Sequence, residues 1–207
     1  MLIDGNDDRG IDVGLLSRLP VRRLRSHIHD TKGRSRIFSR DCLEVELTLP
    51  GEQPLFLLLN HFKSKGYGAS DASSARRKLQ ADTVERILTD HYDLSKDLVA
   101  VCGDFNDAPG SAPLLKLLNV PRLHDVLALK FLQPADRWTY FYQKPLQIDY
   151  LLVSEPLLGA MKDAGVERRG VFELEKITKG AEKSFPSVTL PTNAASDHGA
   201  VWADFTL

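Results

Sequence analysis

Cysteine is nearly absent from this 207-residue sequence. Its two copies, Cys42 and Cys102, each lie within or at the end of an apolar run, where a free thiol behaves as a small hydrophobe. Neither points to a disulfide scaffold or a thiolate metal site. Long hydrophobic runs are missing too: stretches such as residues 55–59 fall far short of the roughly 18 apolar residues a membrane span requires, so no span is expected. An excess of charge of one sign is also lacking, since 27 Lys and Arg face 28 Asp and Glu, a formal net charge of −1. The molecule as a whole exerts no attraction on a polyanion, and any nucleic-acid contact must come from a local basic cleft. The opening Met1-Leu2-Ile3-Asp4 has neither the basic start nor the apolar segment of a secretory signal. Because the natural start can lie upstream, localisation is left open between cytoplasmic and secreted. No repeat or low-complexity tract occurs, and nothing in the sequence reports an oligomeric state.

Hydrophobic residues make up 43% of the chain, enough at this length for one substantial core, so residues 1–207 are read as a single domain. Strand signals recur at residues 11–16, 42–49, 55–59, 98–102, 138–142, 148–153 and 200–205. The clearest helix runs from about Ala72 to about His91, opened by Ser70 or Asp71 as a cap. A shorter one starts after Ser111 with Pro113 in its first turn. Helices interrupt strands without the regular rhythm of a doubly wound sheet, which predicts an α/β fold built as a mixed or antiparallel sandwich. Residues 22–40 and 173–195 are polar, rich in charge or in Gly, Pro, Ser and Thr, and read as long loops or hairpin tips. His27 and His29, in the first of these, lack an obvious third ligand and read as surface residues.

Four polar clusters sit directly beside strand-like runs. Asn60-His61 follows residues 55–59, and Gly103-Asp104-Phe105-Asn106 follows residues 98–102. Asp149 precedes residues 150–153, and Ser196-Asp197-His198 precedes residues 200–202. Strand ends can bring such residues to one rim of a sheet. Together they supply three aspartates, two histidines and two asparagines, an oxygen-rich and thiolate-free set that suits Mg²⁺ or Mn²⁺. Cleavage of a phosphodiester by water needs charge neutralisation, an activated nucleophile and help for the departing alkoxide, and this set can provide all three. Each cluster alone has a plainer reading: a turn at residues 103–106, a hydrogen-bonded strand end at Asn60-His61, a solvated edge residue at Asp149. Ser196-Asp197-His198 is no nucleophilic triad, because chain neighbours cannot meet in that geometry, and no Gly-x-Ser-x-Gly turn is present. Gly5 and Gly10 have the spacing of a phosphate-cradling loop, but Ile11 stands where its lysine belongs.

Taken in order, Asn6-Asp7-Asp8-Arg9-Gly10-Ile11-Asp12-Val13, Asn60-His61-Phe62-Lys63-Ser64-Lys65, Gly103-Asp104-Phe105-Asn106, Ile148-Asp149-Tyr150-Leu151-Leu152 and Ser196-Asp197-His198 resemble the endonuclease/exonuclease/phosphatase superfamily, which includes pancreatic deoxyribonuclease. The resemblance implies an α/β four-layer sandwich of two mixed, mainly antiparallel sheets flanked by helices, with the active site at one rim. It implies that Asp104 orients or deprotonates the attacking water and that Asn106 holds Asp104 and the phosphate. His198 would contact the phosphate, with Asp149 accepting its other ring proton, and His61 would be a second phosphate-facing histidine. Asp197 would bind the metal, Mg²⁺ or Mn²⁺, while Arg9, Asn60 and Lys63 would contact substrate. Family members usually begin with a strand carrying an asparagine and a second strand ending in a metal-binding glutamate, and no glutamate here matches that position. The chain is therefore expected to be the C-terminal portion of such a domain, lacking its N-terminal strands, and to bind Mg²⁺ poorly with weak or no activity. The expected substrate is a phosphodiester, nucleic acid by default, tracked by the lysines at positions 63 and 65 and by the basic residues 22–40. A hydrolase of small or phospholipid phosphoesters, or a non-catalytic truncated binding module, would carry the same residues.

Overall fold

The computed structural model describes residues 1–66 and 70–207. In chain order come β1 (Leu2–Ile3), β2 (Val13–Gly14), β3 (Val21–Ser26), β4 (Thr31–Lys32), β5 (Ser35–Arg36), β6 (Cys42–Thr48) and β7 (Pro54–His61). Then follow α1 (Ser70–His91), β8 (Leu98–Asp104), α2 (Leu115–Leu118), β9 (Leu123–Asp125), α3 (Val126–Lys130), β10 (Tyr140–Tyr142) and β11 (Lys144–Leu146). The last elements are β12 (Asp149–Ser154), α4 (Glu155–Ala160), β13 (Met161–Glu167), α5 (Leu174–Ile177) and β14 (Ala200–Phe205).

Residues 55–59 are apolar at every position, which suits a strand covered on both faces. β7 accordingly lies inside a six-stranded sheet of order β3-β6-β7-β8-β12-β9. It runs antiparallel to β6 and parallel to β8. A parallel neighbour demands a crossover, and α1 supplies it. Ala81, Val84, Ile87 and Leu88 of α1 join Leu58, Val99, Val101 and Leu152 in one buried cluster. The opposite face is covered in two places. Leu43, Val45, Leu47 and Leu59 meet Ile3, Val13 and Leu15, while Leu98, Ala100 and Val153 meet Val126, Leu127, Leu157 and Ala164. β1–β2 and β13–β14 are separate antiparallel ladders over that face. The result is a mixed α/β sandwich, a central mixed sheet flanked by helices.

The register of the sheet assembles the polar rim. Pairing sets His61 beside Asp104 and Asp104 beside Asp149. Side chains alternate between faces along a strand, so the next residues, Phe62, Phe105 and Tyr150, turn the other way into the core. Their rings stack, with centroids 4.7 Å and 4.8 Å apart, and all three are buried. Such aromatic pairs contribute about 0.5–1.5 kcal/mol each beyond their buried area. Close approach of β7 and β8 depends on Gly103. Its φ is +132°, and a Cβ there would lie 1.8 Å from the Asn60 carbonyl oxygen, so no larger residue fits.

Residues 22–26, expected within a long loop, belong to the edge strand β3. An edge strand pairs on one side only and tolerates charge along its length, so it carries no apolar signal. Arg22 and Arg23 lie 3.4 Å and 3.2 Å from Glu46, and Arg25 lies 3.7 Å from Glu44. His27, expected at the surface, is buried. Its Nδ1 is 2.7 Å from Asp30 and its Nε2 is 2.6 Å from Glu44, which also accepts from the Tyr92 hydroxyl. Burial alone would lower the His27 pKa, but those two acids raise it. His29 stays exposed. Residues 31–36 are the hairpin of β4 and β5, and residues 173–195 hold little regular structure beyond α5. The strand expected at residues 11–16 contracts to β2, and that at 138–142 to β10, which pairs with β11. Among the described residues no helix is long and apolar enough to cross a membrane.

Candidate active site

Asp104 ends β8, Asp149 begins β12, and His198 lies just before β14. One ligand atom from each falls within 4.8 Å of the others. His198 is placed by backbone contacts on both sides. The Gly199 N–H donates to the Thr139 carbonyl at 2.6 Å, and the His198 N–H donates to Ser196 Oγ at 2.9 Å. Its ring stands 4.7 Å from that of Tyr140. Thr139 Oγ1 also accepts the N–H groups of Ile148 and Asp149, each at 3.1 Å. With both strand ends tied to residue 139, His198 Nδ1 comes to 2.8 Å from Asp149 Oδ2.

Asp104 is held from the other side. The Asn106 N–H donates to its Oδ1 at 2.7 Å and Asn106 Nδ2 donates to its Oδ2 at 2.7 Å. Asn106 Nδ2 also reaches the Phe62 carbonyl at 3.1 Å. This geometry needs Asn106 at φ 54°, a left-handed conformation that asparagine tolerates better than most residues. His61 Nε2 is 3.4 Å from Asp104 Oδ2.

Ionisation follows from these surroundings. Burial, then the charge of Asp149, pushes the Asp104 carboxyl up to about 7, against the opposing pull of the Asn106 N–H, His198 and Arg40. Burial and the charges of Arg40 and His198 push His61 down to about 4. At neutral pH its contact with Asp104 is therefore a long polar contact and not an ion pair. Burial would also lower His198, but the hydrogen bond and charge of Asp149, with Asp104 and Asp197 behind it, raise it above the ordinary histidine value. Two carboxylates this close repel each other when both are ionised, as the shift of Asp104 records. A divalent cation removes that repulsion, so the paired carboxylates fit one.

The remaining sequence-predicted residues are placed differently. Asp197 is exposed and does not join the three-residue cluster. It lines a neighbouring cleft of about 680 Å³ with Phe141, Phe172 and Lys176. Asn60 is buried, with Nδ2 donating to the Leu58 carbonyl at 3.0 Å. One residue before His61, it faces the α1 side of the sheet, opposite Cys42. That placement differs from the expected substrate contact, and strand alternation is the reason. Arg9 rests on Asp7, with Nε 3.2 Å from Oδ1. Lys63 lines a cleft on the α1 side, its N–H bonded to Gln80 Oε1 at 2.8 Å.

Arg40 has no counterpart among the sequence-predicted residues. It is fully buried, with Nε 3.0 Å from Asp7 Oδ2 and Nη1 donating to the Phe62 carbonyl at 3.2 Å. That carbonyl is the one Asn106 uses, so Arg40 links Asp7 and Arg9 to the Asp104 support. The signal lay in Ser39-Arg40-Asp41, a charged pair directly before the strand that pairs with β7.

Comparison with known proteins comes to the same architecture. A family model described as "Endonuclease/Exonuclease/phosphatase family" matches residues 2–191. A humanized D. rerio TDP2 superposes with a TM-score of 0.61 at 17% identity, covering 92% of this chain and 68% of that one. The 3'-5' exonuclease NExo from Neisseria meningitidis gives 0.57 at 19% identity, covering 92% and 73%. An AP endonuclease from Archaeoglobus fulgidus gives 0.54 at 16% identity, covering 79% and 65%. At these identities the likeness is one of fold. No curated protein matches the sequence.

Proposed function

This chain belongs to the endonuclease/exonuclease/phosphatase family, and from that premise we propose that it is a metal-dependent hydrolase of phosphodiester bonds with nucleic acid as substrate. The observation that supports this most is the Asp104–Asn106 pair facing the His198–Asp149 pair across one sheet end. A carboxyl pushed up to about 7 exchanges a proton near neutral pH, which suits Asp104 to accept one from the attacking water. Asn106 fixes both carboxylate oxygens and so the direction of that transfer. His198, whose charged form Asp149 favours, has Nε2 left to donate to a phosphate oxygen. His61 is neutral and adds a hydrogen bond to the same phosphate without adding charge. Asp104 and Asp149 are the clustered oxygen donors that would hold Mg²⁺ or Mn²⁺, and Asp197 would have to turn in from the neighbouring cleft to join them. The bound ion would neutralise phosphoryl charge and acidify a water. Arg9 and Lys63 would meet flanking phosphates.

A related solved structure, a Neisseria 3' phosphatase NExo, is described as bound to a product DNA hairpin. That lends nucleic acid weight as the substrate class here. The test offers plasmid DNA, RNA, an inositol phosphate and sphingomyelin in turn, with Mg²⁺ and with EDTA. Turnover of nucleic acid that EDTA removes is expected, weak because no glutamate fills the family's metal-binding position. Turnover confined to the inositol phosphate or the lipid would overturn the nucleic-acid assignment.

A further inference from the structure

Cations in this chain are mostly spent on neighbouring acids. Arg77 is buried, with Nε 3.1 Å from Asp107 and Nη1 donating to the Lys63 carbonyl at 3.0 Å, and Lys65 lies 2.5 Å from the same Asp107. Arg76, the next residue along α1, is not settled in this way. Its Nε is buried with no hydrogen-bond partner. A buried donor left unpaired is unfavourable, and a guanidinium beside a cleft is a fork shaped for phosphate oxygens. Arg76 lines a cleft of about 700 Å³ that also presents Lys32, from the β4–β5 hairpin, and Lys63. Asp7 borders this cleft, but its carboxylate is taken up by Arg9 and Arg40. Asp8 is the other acid there, against three cations.

Two residues of the cleft adjoin residues of the active site in the chain. Lys63 stands two residues past His61, and Ser39, which also lines the cleft, directly precedes Arg40. We infer that this cleft, formed by Lys32, Lys63 and Arg76, is a second anion subsite that seats the phosphate next to the scissile one in a nucleic-acid strand. The inference rests on the phosphodiesterase reading above and narrows it. A single phosphoester offers the cleft nothing, whereas a polynucleotide brings a neighbouring phosphate on the same strand. Contacts of this kind set register and affinity without reading sequence.

The subsite is tested by binding, apart from catalysis. Anisotropy of a fluorescein-labelled single-stranded oligodeoxynucleotide is measured in EDTA over a salt series for the wild type, Arg76→Gln, Lys32→Gln and, as a charge control, Lys162→Gln at an exposed position of β13. Arg76→Gln and Lys32→Gln are each expected to weaken binding by about five- to tenfold and to reduce the salt slope by about one. Lys162→Gln is expected to change affinity less than about twofold. Equal losses in all three variants would mean diffuse attraction and would overturn the subsite. Lys32 lies on an exposed hairpin, so its variant keeps the test valid if Arg76→Gln fails to fold. With Mg²⁺, the ratio of kcat/KM for the oligonucleotide to that for a bis-aryl phosphodiester is expected to fall about tenfold in Arg76→Gln. An equal fall on both substrates would also overturn the subsite. If neither substrate is hydrolysed by the wild type, the hydrolase reading fails while the binding arm still decides the subsite.

Discussion

At the scale of single residues, two shifted groups in contact oppose each other in the stability of the chain. Asp104 is raised to about 7 by burial and Asp149, so between about pH 4 and 7 the folded chain holds a proton that the unfolded chain has released. Stability therefore falls as pH rises through that window, by up to ~1.4 kcal/mol per pH unit. His61 is lowered to about 4, so between about pH 4 and 6.5 the unfolded chain holds the extra proton and stability rises with pH. The two slopes cancel over much of the same range. In EDTA, the Tm of Asp104→Asn is expected to climb between pH 4.5 and 6.5, and that of His61→Asn to fall. Parallel pH profiles for both variants and the wild type would show that these shifts do not exist in the folded chain. The residues of this centre were largely visible in the sequence because each abuts an apolar run. Arg40 was less so, since its pairing with Asp41 ahead of β6 is a faint mark within a basic stretch, and its 0% exposure arises from Asp7 and Phe62, far off in the chain.

At the scale of elements, three strand ends are held level by the aromatic column beneath them. Phe105 lies between Phe62 and Tyr150 and is itself fully buried. Phe105→Ala is expected to cost about 3–5 kcal/mol in urea unfolding, the usual range for emptying a buried phenylalanine site. It is also expected to lower turnover in whatever fraction stays folded, because Asp104 loses its register with His61 and Asp149. A cost below about 1 kcal/mol would show that the column does not hold the ends. The dipeptides His61-Phe62, Asp104-Phe105 and Asp149-Tyr150 repeat one pattern, polar then aromatic, at the end of a strand. Alternation along β7 also separates Asn60 from His61, a distinction available from the sequence once Phe62 is taken as core. Strand β3 was illegible because its pairing uses backbone groups while arginines fill its exposed side. Which strands become neighbours was equally hidden, since β8 and β12 pair across more than forty intervening residues.

At the scale of the whole molecule, a balanced charge of −1 means that a polyanionic substrate is recognised locally or not at all. The cations that matter are those lining the cleft beside α1. The family and the α/β class could be named from ordered motifs, whereas the cleft beside α1 exists only once the β4–β5 hairpin has packed near that helix. The most direct measurement of the proposed chemistry is hydrolysis of bis(4-nitrophenyl) phosphate by the purified chain, with Mg²⁺ and with EDTA, beside Asp104→Ala. The expected result is weak turnover above the metal-free blank that disappears in Asp104→Ala. Turnover that persists in Asp104→Ala, or in EDTA, would contradict the assignment of Asp104 as the base of a metal-dependent phosphodiesterase.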